Sequence, residues 1–170
     1  MSIVLDGSNQ TTGGLINAGT AQASTSGTAI TFTGIPSTAK RITVMFNGVS
    51  TNGTSNPQVQ VGSGSTTTSG YVGYNARQGA TLNAYVANSA GFILDGSNVA
   101  ATTLTGHLIL TLISGNTWIG SGVTTNTAGI NESSTIAGSI ALSGTLDRVV
   151  ITTVNGTDTF DAGSVNIFWE

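Results

Sequence analysis

The chain has no cysteine and very few basic residues. Without thiols it can form neither a disulfide framework nor a thiolate metal site, and its redox compartment stays open. Its four basic residues are Lys40, Arg41, Arg77 and Arg148, and the formal net charge is -3. Proteins that bind nucleic acid neutralise phosphates with many Lys and Arg side chains, so this composition excludes a nucleic-acid partner.

Long apolar runs are also missing. None approaches the roughly 18 consecutive apolar residues of a membrane span. The first residues lack the basic segment and apolar run of a secretory signal. The sequence therefore predicts a soluble protein with no membrane partner, which reaches any extracellular place by a route that it does not encode.

Charged residues make up only 6% of the chain, against about a quarter in ordinary globular proteins. Ser, Thr, Gly and Asn take their place, so the surface is covered by hydroxyls and amides. The 38% of hydrophobic residues lie in short clusters and the net charge is small, which excludes a disordered chain. Weak charge repulsion suits a protein that stays docked in an assembly, so the composition favours a structural part.

Short strand-like runs fill most of the chain. Their turn signals recur at the spacing of about 8–12 residues that is typical of antiparallel sandwiches. Leu104 to Ile113 is the most apolar run and is predicted to be a central strand, whereas Gly79 argues against a helix in Ala76 to Ala84, the one stretch that could form one. The sequence predicts an all-β fold: a single antiparallel β-sandwich of jelly-roll type over residues 28–170, after an extended N-terminal arm over residues 1–27.

The C-terminal segment Leu146 to Glu170 predicts a closing hairpin. Its first run, Val149 to Val154, is rich in β-branched residues, which pack well in strands. Asn155-Gly156 is a strong turn signal, and Val165 to Trp169 is a second apolar run. The order strand, break, basic residue, strand and Asn-Gly also occurs around Arg41, so we expect two similar strand pairs that face each other across one sandwich.

Candidate catalytic and metal-binding residues are sparse. His107 is the only histidine, and a lone histidine builds neither a metal site nor a base–nucleophile pair. Asp158 and Asp161 lie three residues apart, where aspartates commonly fix a turn. A calcium site there and a glycosidase pair are weak alternatives, since calcium needs about six oxygens and hydrolysis needs two carboxyls across a cleft. An inward Arg148 paired with an acid such as Asp161 is a further conjecture. We predict no catalytic residue, no metal and no cofactor.

Two groups of residues are candidates for contact with partners. The arm carries the apolar anchors Ile3, Leu5, Leu15 and Ile16, which suit either a frayed terminus or an arm that orders on a partner surface. Three tyrosines, Tyr71, Tyr74 and Tyr85, lie close together in sequence. Flat aromatic rings beside amides also occur at sugar-binding surfaces, so a glycan-contacting face stays open as an alternative.

Two long segments and a short one carry a resemblance to a known group. They are Ile30 to Ser55, Ser114 to Trp118 and Leu142 to Glu170, and the opening Ile3 to Ser8 adds to them. They resemble a β-structured module of tailed-bacteriophage virion proteins, either a capsid decoration (cement) protein or a tail-fibre head domain. The likeness weakens between Gly62 and Ala101, and Ile167-Phe168-Trp169-Glu170 stands where Ile-Leu-Tyr-Glu is expected.

The resemblance implies a non-enzymatic component of the outer surface of the phage particle that forms a homotrimer. Only about 27 residues precede the predicted sandwich, too few for a fibre shaft and a tail-joining domain. We therefore expect a cement protein that binds the major capsid protein and stabilises the head. The alternative is a tail-fibre or receptor-binding head domain that contacts tail proteins and recognises host surface glycans.

Overall fold

The computed structural model describes residues 16–79, 83–127 and 131–170, and within them the chain forms fourteen strands and no helix. All pairings between these strands are antiparallel. The strands build two sheets of unequal width, with nine strands in one and five in the other. The predicted all-β antiparallel sandwich is confirmed.

The large sheet has the strand order β1-β14-β4-β10-β11-β12-β7-β8, with β2 also paired to β14. Its strands are β1 (Asn17–Ala18), β2 (Gln22–Ala23), β4 (Arg41–Thr51), β7 (Val72–Gln78), β8 (Asn83–Asn88), β10 (Leu104–Ser114), β11 (Thr117–Asn126), β12 (Glu132–Ala141) and β14 (Phe160–Trp169).

The small sheet has the order β3-β13-β5-β6, with β9 also paired to β5. Its strands are β3 (Ala29–Thr33), β5 (Pro57–Ser63), β6 (Ser65–Thr66), β9 (Phe92–Ile93) and β13 (Arg148–Thr153).

The connections between strands give a jelly roll in which three strands take the place of the seventh. An eight-stranded jelly roll places its first, eighth, third and sixth strands in one sheet, and its second, seventh, fourth and fifth in the other. Here the first sheet reads β3-β13-β5-β9 and the second reads β4, then β10-β11-β12, then β7-β8. Three strands replace one at the seventh position, and an odd number keeps both flanking pairs antiparallel. β14 then extends the large sheet beyond β4.

Buried and exposed side chains alternate along the strands, and this alternation explains which residues form the core. In β4, Ile42, Val44 and Phe46 are buried, and in β10 Leu108 and Leu110 are buried while His107 is exposed. Successive side chains of a strand point to opposite faces, so one face of each sheet is apolar and must be covered. The second sheet supplies that cover, with Val59, Val61, Val149 and Ile151 among the buried residues. The predicted central strand at Leu104 is confirmed, because β10 lies between β4 and β11.

The predicted closing hairpin is wrong. Asn155-Gly156 does turn the chain, with Gly156 at φ 68° and its N–H donating to Thr153 O at 3.0 Å. The chain then crosses the sandwich, so β13 lies in the small sheet and β14 pairs with β4 in the large one. Asp158 fixes the turn that precedes this crossing, because its carboxylate accepts hydrogen bonds from Ser55 N at 2.9 Å and Asn155 Nδ2 at 2.6 Å.

The two similar segments are likewise crossings and not paired strands. β3 and β4 lie in different sheets, and so do β12 and β13. β3 instead pairs with β13, from Thr33 opposite Arg148 to Ala29 opposite Thr152. A polar break after an apolar strand gives the chain room to change sheets, and a tight hairpin would not.

Candidate functional site

The outward face of the large sheet is the widest regular surface of the described chain. Six neighbouring strands, from β4 to β8, present it, and one cross-strand row runs over all of them. That row contains Met45, His107, Val123, Thr135, Ala76 and Tyr85. At ~4.8 Å between strands and ~3.4 Å per residue, the face is about 29 Å wide and about 24 Å long, or about 700 Å². We call it the outer face.

This outer face has almost no charge. Three charged residues lie in its six strands, Arg41, Arg77 and Glu132. Glu132 is buried and only 11% of the Arg77 side chain is exposed, whereas Arg41 lies at the end of β4 and pairs with Glu170 at 3.1 Å. Besides exposed hydroxyl residues, the face presents large hydrophobic side chains that solvent reaches, namely Val72, Tyr74, Tyr85, Ile113, Ile119 and Val123. The outer face is therefore a broad apolar and hydroxyl-rich surface.

The structure separates the three candidate tyrosines. Tyr74 and Tyr85 are 56% and 73% exposed on the outer face, and their ring centroids lie 6.0 Å apart at an interplanar angle of 60°. An open groove of about 330 Å³ lies beside Tyr74, between it and Asn88. These two rings form a pair that a flat ligand can reach.

Tyr71 has to be removed from this group. It is only 3% exposed and meets Phe92 edge-on, with 5.2 Å between ring centroids. Its hydroxyl accepts a hydrogen bond from Val61 N at 2.7 Å and donates towards Thr67 O at 3.0 Å. Burial raises the pKa of Tyr71 to about 12. Tyr71 directly precedes β7 and its side chain is turned inward, so Tyr74 and Tyr85 are the two tyrosines that a glycan could reach.

Of the four arm anchors, Ile3, Leu5 and Leu15 lie outside the described residues. Ile16 is 68% exposed and borders a groove of about 150 Å³ with Phe168, Trp169 and the Arg41–Glu170 ion pair. The following residues run along β14 as the short strands β1 and β2. The arm therefore enters the molecule at the edge of the large sheet that lies opposite β8.

The sequence-predicted acids do not converge. Asp158 fixes the crossing turn, and its pKa lies below the usual value because Asn155 and Ser55 N–H donate to the carboxylate. Asp161 is exposed. Arg148 pairs with its neighbour Asp147, at 2.8 Å from Nε to Oδ1, and not with Asp161. In the part of the chain that the structure describes, no group of three or more His, Cys, Asp or Glu residues could hold a metal ion.

Sequence reasoning missed a buried polar cluster under the loop after β9. Asp95 Oδ1 accepts a hydrogen bond from Ser97 N at 2.9 Å. Ser97 Oγ lies between two carboxylates, 3.1 Å from Asp95 Oδ1 and in contact with Glu132 Oε1, and its single proton can be donated to only one of them. Asn126 Nδ2 donates to Asp95 Oδ2 at 3.0 Å, and Arg77 lies 3.5 Å from Glu132 Oε1. The one sequence signal here is Asp95-Gly96, a dipeptide typical of an ordinary turn.

The electrostatics of this cluster are unbalanced, because two carboxylates face one guanidinium. Burial, and to a smaller extent the charge of Glu132, raise the pKa of Asp95 above its usual value. Glu132 Oε2 and Asn126 Oδ1 have no hydrogen-bond partner within the described chain. His107 lies on the opposite face of the sheet, so Ser97 has no imidazole base beside it. The cluster holds the loop against the sheet and assembles no catalytic triad.

No helix in the described residues is long and apolar enough to cross a membrane. Searches of family models, of curated proteins and of solved structures find no match to this chain.

Proposed function

We propose that this chain is a structural protein of a tailed-bacteriophage particle, a cement protein that binds the outside of the capsid and stabilises the head. The observation that carries the proposal is the outer face. Stable protein interfaces bury about 800 Å² per partner, and the outer face offers about 700 Å² on one side. The resemblance of two long sequence segments and a short one to phage virion proteins supplies the choice of partner.

The charge of the outer face fits this role. Unpaired charges in the centre of an interface have to lose water on docking, which costs free energy unless each finds a partner. The interior of the outer face has no such charge, and its hydroxyls can donate to or accept from many backbone groups. An interface of this kind binds a rigid protein shell through shape and apolar contact. Its contribution would be mechanical, because contact spread over neighbouring capsid subunits opposes the pressure of packaged DNA.

This function can be tested by an add-back experiment on phage particles that lack the protein. Purified wild-type protein is added back, and its occupancy and the DNA retained on heating are measured. We expect Val123→Lys, which places an ammonium group in the middle of the outer face, to lose binding and protection. Thr31→Lys puts the same charge on an exposed position of β3 in the small sheet and should bind like wild type. Equal binding by Val123→Lys would overturn the proposal.

The exposed pair Tyr74 and Tyr85 favours one alternative, a receptor-binding head domain that recognises host surface glycans. Aromatic rings beside amides stack on sugar faces, and Asn88 borders the same groove. In that case purified protein would bind host cells, free surface polysaccharide would compete, and Tyr74→Ala with Tyr85→Ala would abolish binding. Absence of cell binding by the wild-type protein would exclude this alternative.

A further inference from the structure

One edge of the large sheet has none of the usual protection against further pairing. Among the described strands, β8 pairs with β7 alone, so its other side carries unpaired backbone groups. Natural proteins protect such edges with lysine, proline, bulges or a covering segment. β8 reads NAYVAN, with no charge and no proline, and its register with β7 has no bulge. It can therefore accept another strand.

A groove runs beside this edge. It has a volume of about 280 Å³ and is lined by Val86, Asn88, Ile93, Val154 and Asn56, among others, but by no residue of β7. Its walls come from β8 on one side and from Ile93 of the small sheet and Val154 after β13 on the other, so it lies between β8 and the small sheet. A strand added at this edge would place alternate side chains in the groove against Val86, Ile93 and Val154. The acceptor edge, as we call β8 with this groove, suits a short extended segment with apolar residues at every second position.

The chain contains such a segment outside the described residues. Ser2-Ile3-Val4-Leu5 is uncharged, and Ile3 and Leu5 are two residues apart, so in an extended strand they share one face. The described chain begins at Ile16, beside β14 at the edge of the sheet opposite β8. The donor segment and the acceptor edge thus belong to opposite sides of one molecule.

The length of the segment before Ile16 favours pairing with the acceptor edge of a neighbouring copy over pairing with the chain's own. At ~3.3 Å per residue, the segment from Leu5 to Ile16 spans at most about 36 Å. At ~4.8 Å per strand, the distance from β1 to β8 over the sheet is about 34 Å. To reach its own β8, the chain would have to run fully extended and straight across a twisted sheet. No length would remain for the turn that brings residues 2–5 alongside that strand. A neighbour whose β8 lies beside β1 needs only a few residues of the same segment.

We infer that residues 2–5 of one copy pair with the acceptor edge of a second copy, with Ile3 and Leu5 in its groove. Donor and acceptor lie on opposite edges, so the contact is head-to-tail, which gives a ring when the rotation between copies closes. The inference is independent of the proposed function, because it concerns contact between copies and needs no capsid.

Complementation between two defective variants tests it. The donor variant carries Ile3→Asp and Leu5→Asp, and the acceptor variant carries Val154→Lys, an exposed position on the groove wall. Light scattering after size exclusion gives the mass of each purified full-length protein. We expect wild type to be a ring oligomer and each variant to be a monomer. A 1:1 mixture should give a heterodimer of twice the monomer mass, since one intact donor then meets one intact acceptor.

Three results would overturn the inference: a monomeric wild type, a donor variant with the wild-type mass, or a mixture that stays monomeric. Val72→Lys adds the same charge to β7 outside the groove and should keep the wild-type mass. Val86→Lys is a second acceptor variant from the opposite wall of the groove, and circular dichroism checks that each variant is folded. Because these masses are measured on purified protein, failure here and failure of capsid binding are separate outcomes.

Discussion

Two aspartates of this chain respond to pH in opposite directions, and the reason lies in their surroundings. Asp95 is buried, and its pKa is raised mainly because burial disfavours its charged form. The pKa of Asp158 is lowered because an amide and a backbone N–H donate to its carboxylate. Both shifts can be measured through stability, since a group whose pKa changes on folding makes the free energy of unfolding depend on pH.

For Asp95 the folded state binds the proton more tightly than the unfolded state does. Its contribution is therefore complete below the unfolded pKa near 3.8 and is lost as pH rises through the raised folded pKa. We expect Asp95→Asn, which keeps an acceptor for Ser97 N–H, to be more stable than wild type at neutral pH. The gain should appear as a Tm above that of wild type at neutral pH. Tm as a function of pH checks this, with exposed Asp161→Asn as the control; a neutral-pH loss of stability in Asp95→Asn alone would contradict it.

For Asp158 the sign is reversed. Its contribution is present above the unfolded pKa and disappears as pH falls through the lowered folded pKa. We expect Asp158→Ala to lower Tm at neutral pH, because Ser55 N–H and Asn155 lose their acceptor, and the difference from wild type to shrink in acid. Thermal melts over the same pH series measure it. A difference that stays constant down to acid pH would show that the carboxylate charge plays no part in this turn.

At the scale of elements, the two sheets meet where an aromatic ring replaces missing side chains. Phe92 of β9 is buried and lies over glycines of three neighbouring strands, Gly73, Gly120 and Gly138. A Cβ at Gly120 would lie 2.7 Å from the Phe92 ring, and one at Gly138 would lie 3.2 Å from it. The small sheet can approach the large one here only because these glycines leave the space that the ring fills.

Gly120→Ala should therefore destabilise the protein by overpacking, by about 1–3 kcal/mol. Phe92→Leu in the same chain should recover part of that loss, since the smaller side chain leaves room for the new methyl group. Ser121→Ala, the next residue on the exposed side of β11, should change stability by less than about 0.5 kcal/mol. Denaturant unfolding of the four variants gives the coupling energy. Additive effects of Gly120→Ala and Phe92→Leu would contradict this packing.

At the scale of the whole molecule, strands far apart in sequence hold one another. β3 pairs with β13 and β4 pairs with β14, so each sheet is completed only when the last quarter of the chain has arrived. Contacts between residues so far apart in sequence form only after a long loop has closed, which costs entropy. Folding should therefore be slow and all-or-none.

Deletion of residues 160–170 should accordingly abolish the cooperative thermal transition, and not merely lower its midpoint. β4 would lose its partner, β1 and β2 would have nothing to pair with, and the buried side chains Phe160, Val165 and Ile167 would be missing. Deletion of residues 1–15, which removes none of these contacts, should leave the transition in place. Circular dichroism during heating distinguishes the two. A cooperative melt without β14 would mean that the remaining strands form a stable sandwich alone.

Local sequence patterns were sufficient for the strands but not for the functional surfaces. The alternation in Arg41–Thr51 and Leu104–Ser114 predicts which side chains point inward, and the same alternation puts Val123 and Tyr74 outside. Tyr71 could not be assigned in this way, because its inward direction depends on Phe92 from a distant strand. Asp95 looked like an ordinary turn residue because its burial is produced by Asn126 and Glu132, which lie about thirty residues away.

By itself, then, the sequence determined an antiparallel β protein with uncharged surfaces and determined where the chain turns, because strand period and turn chemistry act over a few residues. Only the tertiary structure decided which sheet each strand joins. Asn155-Gly156 turns the chain in a hairpin and in a crossing alike, and the choice is made by Phe160, whose pairing with Thr51 lies in the other sheet. The wide outer face and the unprotected β8 edge follow from that choice, since both exist only after strands more than a hundred residues apart have paired.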